Sequence, residues 1–167
     1  MNDKEDHAFL AEGTMSSGIN LAVIEYTLAP AARLDRIVAE VRRAVRWLAG
    51  HLGDYGADPS RLYVSGHSAG GHLTATTIVL PAVRGGIAIS GIYDLEPIRL
   101  NYLNEKLGLD AAEAERNSPL LHIPSMAGEL VRLWNKGIAR AAPPVDRLCA
   151  GAGPARPARP IAAGRRR

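Results

Sequence analysis

The chain has 167 residues, 47% of them apolar, which suits a single domain with its own core. No apolar run reaches membrane-spanning length, the charged start Met1-Asn2-Asp3-Lys4-Glu5-Asp6 is unlike a signal peptide, and a lone Cys149 leaves no disulfide framework or cysteine zinc cluster. The net charge of +3 is uneven: residues 132–167 hold nine Lys/Arg and one acid, giving +8 there and −5 in residues 1–131. The expectation is a cytoplasmic protein with no membrane partner. No nucleic-acid partner is expected either, because the basic residues sit on no aromatic-bearing face or recognition helix. No cofactor or metal site is expected.

In chain order, residues 5–17 read as a short helix carrying Ala8, Phe9, Ala11 and Met15, ended near Gly18. Residues 20–26 contain the apolar run Leu21-Ala22-Val23-Ile24, of strand length and suited to a strand covered on both faces. Pro30 punctuates the turn that follows. Residues 34–52 give the clearest helix. Leu34, Ile37, Val38, Val41, Val45 and Leu48 recur at spacings of three and four, while Arg36, Glu40, Arg42, Arg43 and Arg46 fall mainly on a solvated face. Residues 53–60 form a loop into the next strand.

That strand, Leu62-Tyr63-Val64, runs into Gly66-His67-Ser68-Ala69-Gly70 and then a helix from Gly71 to about Leu80. A glycine-flanked serine at a sharp strand-to-helix turn is the G-x-S-x-G nucleophile elbow, which holds the serine Oγ clear of the sheet. The spacing predicts Ser68 as nucleophile. Gly66 and Gly70 are expected where neighbouring backbone leaves no room for a Cβ. The Ala69 amide, at a helix N-terminus, points where an oxyanion would form. A further buried strand is expected at 86–90, closed by Gly91, although the interval from Thr74 to Gly86 is short for a helix plus connection. Residues 95–109 predict one or two short helices, 111–117 another, and 118–124 an extended connector.

Strands alternating with helices imply a parallel, doubly wound α/β sheet. The series Tyr26-x-Leu28-Ala29-Pro30, Gly66 to Leu73, Ser90-Gly91-Ile92-Tyr93-Asp94-Leu95-Glu96-Pro97 and Ser118-Pro119 resembles the esterase and kynurenine-formamidase (arylformamidase) branch of the α/β-hydrolase superfamily, over about residues 1–125. The resemblance implies a serine hydrolase of a small ester or N-formyl aryl amide. Ser68 would attack the carbonyl, a histidine would take its proton, and an acid would orient that histidine.

The departures are as informative. That branch carries a His-Gly-Gly-type loop upstream, which this sequence lacks, and its acid and histidine follow the serine on later strands. No counterpart is found after about Ser125, so the expectation is a partial hydrolase domain, 1–131, truncated at both ends and weakly active or inactive. Among the histidines, His67 diverges from Ser68 at the turn, and His72, one helical turn on, packs near the pocket or substitutes as base. His122 reads as structural, and His7 and His51 as solvated. Asp94 is expected to hold a loop through backbone amides, and Glu96 and Asn101 are candidates to border a pocket. The alternative function is a non-catalytic α/β-hydrolase fragment or interaction module. Residues 132–167, rich in Pro, Ala, Gly and Arg, read as a disordered tail of aberrant or out-of-frame origin. Translation of the coding DNA in its other frames is expected to yield strands, a Gly-x-Asp/Glu segment and a late histidine; neither frame doing so refutes that origin.

Overall fold

A computed structural model describes residues 9–122 and 131–134. Two helices come first, α1 (Leu10–Ser16) and α2 (Leu34–His51). Strand β1 (Tyr63–His67), helix α3 (Ala69–Thr77) and strand β2 (Gly85–Ile89) follow. Three short helices, α4 (Glu96–Arg99), α5 (Asn104–Leu107) and α6 (Ala111–Arg116), lead to β3 (Val131–Trp134). The strands form one parallel sheet in the order β1-β2-β3. Tyr63 pairs with Gly85 and His67 with Ile89 at the two ends of the first ladder. Parallel neighbours need a crossover, and α3 supplies it between β1 and β2. The interval after Thr74 suffices: α3 ends at Thr77, two tight turns follow, and Arg84 N donates to Leu62 O at 2.8 Å as β2 begins.

The periodicity of α2 translates directly into packing. Leu34, Ile37, Val38, Val41 and Val45 are buried, and Leu48 is half-buried. The N-terminal part of this stripe meets Leu73 of α3, Leu95 and Ala114. Val45 joins Leu80 and Val83 in a second cluster, against which Leu62 and Val64 pack. Burying each such side chain contributes about 1.5–3 kcal/mol. Arg42 departs from the solvated face: half-buried, it donates from Nε and Nη2 to Thr76 O at 3.0 and 2.6 Å, tying α2 to the end of α3.

Three expectations change. Residues 20–26 are not a strand. An apolar run becomes a strand only with a neighbour to complete its ladder, and this one is held by side-chain contacts instead. Ile24 packs on both clusters, and the Glu40 carboxylate accepts from Thr27 N at 2.9 Å and Thr27 Oγ1 at 3.2 Å. The Thr27 amide and Arg36 hold the Glu40 carboxyl down at about 2. Second, β2 is covered on one side only: Ala88 is buried while Ile87 and Ile89 are exposed. Third, residues 119–122 coil into a 3₁₀ turn, because Leu120 N donates to Tyr93 O and Leu121 N to Ser118 O. The expected tail begins at 132; β3 spans residues 131–134, and the rest of that tail lies outside the described residues.

A polar cluster joins α6 to α2. Glu113, fully buried, takes Arg33 Nε at 2.9 Å and Arg33 Nη2, and its other oxygen accepts Asp35 N at 3.1 Å in the first turn of α2. Arg116 and Asn117 both bond Asp35. Removing the carboxylate takes the acceptor from Asp35 N and the Arg33 guanidinium and empties a fully buried position, so Glu113→Ala is expected to destabilise by about 1–3 kcal/mol. Arg99→Ala, which breaks only the exposed pair with Glu96, is expected to leave the urea midpoint nearly unchanged. Equal midpoint shifts for the two variants would refute this ranking.

Candidate active site

The turn after β1 has the geometry its sequence calls for. Ser68 has φ 54 and ψ −114, a conformation few non-glycine residues adopt. Two hydrogen bonds hold it there: Ser68 N donates to Ile89 O of β2 at 2.9 Å, and Ser68 O accepts His72 N at 3.1 Å as α3 begins. Ala69 is the first residue of α3, so its N–H has no intrahelical acceptor and faces the helix end. His67, Ser68 and Ala69 are all exposed, so the serine is offered at the surface.

The glycine assignment shifts by one residue. A Cβ on Gly66 would run into the carbonyl of Gly70, as expected. Gly70 itself has open space around such an atom. The tight position is Gly71, where a Cβ would lie 2.8 Å from Gly91 Cα and 2.9 Å from Ile89 O. The elbow helix therefore sits on the end of β2 through Gly71.

His72 is buried, 4% exposed, and its Nε2 lies 2.7 Å from Asn117 O. A carbonyl only accepts, so Nε2 carries the proton and donates. Burial pushes the imidazole below its ordinary 6.5, partly offset by that bond. His72 is thus a strut from α3 to the end of α6 rather than a partner of Ser68. His122 Nε2 pairs with Glu115 O at 3.0 Å and is exposed, the structural role expected of it. His51 stacks on Trp47 at 4.3 Å, with Nδ1 2.7 Å from Trp47 O, so it is packed on its own helix rather than simply solvated. His7 lies outside the described residues. Among the described residues, no histidine is hydrogen-bonded to Ser68 Oγ.

Asp94 holds its loop as expected, Oδ1 accepting Glu96 N at 3.0 Å. Glu96 pairs with Arg99, and Asn101 Oδ1 takes Leu103 N at 2.8 Å, so both are engaged in local turns. Ser118 is buried and links two elements, donating to Ala114 O at 2.7 Å and accepting Leu95 N at 2.9 Å. The Ser118-Pro119 pair was visible in the sequence; its bridging hydroxyl was not. Two open hollows, about 360 and 540 Å³, flank α2 and include no residue of the elbow. The strained serine marks the site more securely than either hollow.

A parallel strand, a left-handed serine and a helix in this order define an α/β hydrolase. Residues 2–160 match a family described by its alpha/beta hydrolase fold, and the chain belongs to that family. It is 36% identical to the kynurenine formamidase of Salmo salar over 131 residues, 74% of this chain and 43% of that one. For the Danio rerio kynurenine formamidase the identity is 37% over 124 residues, covering 70% and 41%. The crystal structure of a candidate thioesterase from Silicibacter sp. superposes with a TM-score of 0.64 at 33% identity, over 72% of this chain and 47% of that one. The chain thus spans less than half the length of these relatives.

The buried neutral His72 has a consequence for pH. Its folded pKa is depressed, so the stability it contributes is present above about pH 6.5 and is lost as pH falls below that value. The urea midpoint is expected to drop from about pH 6.5 to 5, and less so in His72→Gln, which keeps a donor for Asn117 O without titrating. Identical slopes for the two proteins would refute this.

Proposed function

We propose that the chain carries the nucleophile of a serine hydrolase of the carboxylesterase or arylformamidase type, acting on a small ester or an N-formyl aryl amide. One observation carries this reading: the left-handed backbone of Ser68 between a parallel strand and a helix. Ser68 Oγ attacks the substrate carbonyl, giving a tetrahedral oxyanion that the Ala69 amide stabilises. The C–O or C–N bond to the leaving group then breaks and the leaving group takes up the proton lost from Ser68. Water adds to the acyl or formyl carbon, its bond to Oγ breaks, and Oγ regains a proton. The kinship with kynurenine formamidases supports the formamide substrate class. The protein is read as cytoplasmic; among the described residues no helix is long and apolar enough to cross a membrane.

Activity is expected to be weak. Among the described residues the turn itself supplies one oxyanion donor, the Ala69 amide, and a site with one donor fewer is slower by about 10²–10³. Because none of the described histidines is bonded to Ser68 Oγ, a second reading is favoured by its own observation: a hydrolase piece retained as a binding or interaction module. A fluorophosphonate probe separates the two. Labelling of wild type, lost in Ser68→Ala together with slow hydrolysis of a short-chain p-nitrophenyl ester, is the expected result. No labelling of a folded sample sinks the enzymatic reading.

A further inference from the structure

Ser68 is one of two non-glycine residues with left-handed backbone among the described residues; the other is Ser90, φ 49. The ladder of β1 and β2 ends with His67 opposite Ile89. One step further along that register brings Ser68 opposite Ser90, each the first residue past the carboxyl end of its strand. The Ser68 N to Ile89 O bond shows that the register still holds there. Adjacent strands lie about 4.8 Å apart, so the two serine backbones are immediate neighbours. Both residues are exposed, and among the described residues no hydrogen bond uses the Ser90 hydroxyl.

Glycine is the residue that fits a left-handed position without strain, and a glycine follows directly at 91. Yet the left-handed residue is the serine. The surroundings hold it there: Gly71 packs on Gly91, and the Tyr93 hydroxyl closes the loop by donating to Ala88 O at 3.3 Å. Strain that the surroundings enforce, at the carboxyl ends of parallel strands, collects where ligands are handled.

We infer that Ser90 is a substrate-contacting residue, its hydroxyl hydrogen-bonding the heteroatom attached to the carbonyl that Ser68 attacks. A hydroxyl both donates and accepts, so one side chain serves the bridging oxygen of an ester and the N–H of a formamide. Its ligands are carbonyl compounds with a polar leaving-group atom. This assignment rests on the Ser68 reading, and the test is built to fail separately from it.

Two comparisons are made. The first follows fluorophosphonate labelling rates for wild type and Ser90→Gly, with thermal unfolding of each. Ser90→Gly relieves the strained backbone, so it is expected to unfold at or above the wild-type temperature while labelling about five- to tenfold more slowly. The second measures formanilide binding by amide chemical shifts at Ala69, Gly70 and Gly91, in Ser68→Ala and in the Ser68→Ala, Ser90→Gly double variant. The double variant is expected to bind about five- to tenfold more weakly. If wild type does not label but that Kd ratio holds, Ser68 falls as nucleophile and Ser90 stands as a ligand contact. Equal Kd values, or no formanilide shifts at the turn, overturn the assignment of Ser90.

Discussion

The site depends on a close approach of backbone to backbone. Gly71 lets the first turn of α3 settle against Gly91 and Ile89, and Gly66 lets β1 pass beneath Gly70. At Gly71 the obstructing atoms belong to the main chain of a neighbouring strand end, so no rotamer change could make room for a Cβ. With the helix seated so closely, the chain between His67 and Ala69 has to reverse within one residue. The left-handed backbone of Ser68 is the result, and its N–H is used to hook the turn onto β2. Serine is not chosen here by conformational preference; the packing imposes the conformation on it.

The same elbow helix is held from its far side by polar groups. His72 reaches Asn117, whose side chain reaches Asp35, which Arg116 also grips. Glu113 adds a buried carboxylate that serves both Arg33 and the first turn of α2. The helices joined in this way are short: α4 and α5 have four residues each and α6 six. Helices of that length are unstable alone, because nucleation is not repaid by propagation. Side chains compensate. Asp110 caps α6 through Glu113 N, Asn104 brackets Leu109 from both sides, and Ser118 ties α6 to Leu95. Arg33 and Arg116 are about half exposed, so water screens their charges; the acceptor of Arg33, Glu113, is buried, whereas that of Arg116, Asp35, is half exposed too.

What could be read from the sequence follows from the range of each interaction. The stripe of α2 and the elbow are written within one turn of helix or five residues, and both were legible. The exchange of Gly70 for Gly71 was not, because it depends on where β2 ends, about twenty residues downstream. Residues 20–26 have the composition of a strand, and composition alone does not supply the neighbour a ladder requires. Arg42 looked solvated because its partner, a carbonyl at the end of α3, is created only by tertiary packing. His72 could be placed near Ser68 by helical spacing. That its Nε2 faces Asn117 depends on α6, forty-five positions away, and nothing local encodes it.

The geometry that prepares a nucleophile and the group that removes its proton are supplied by different parts of a hydrolase. The contacts that shape the Ser68 turn lie between Tyr63 and Gly91: two hydrogen bonds, two glycine approaches and the β1–β2 ladder. None requires a histidine on Oγ. A strained elbow can therefore persist in a chain whose proton-transfer partner is not among its described residues, because the packing enforces the strain whether or not catalysis uses it. His72 illustrates the point, since it lies one turn from the serine and yet no hydrogen bond joins its ring to Ser68 Oγ; the bond it makes is from Nε2 to Asn117 O. A base must offer a free lone pair toward the nucleophile. Proximity in the sequence put this imidazole on the same helix as the elbow, and the packing of α6 gave its Nε2 a carbonyl partner at Asn117.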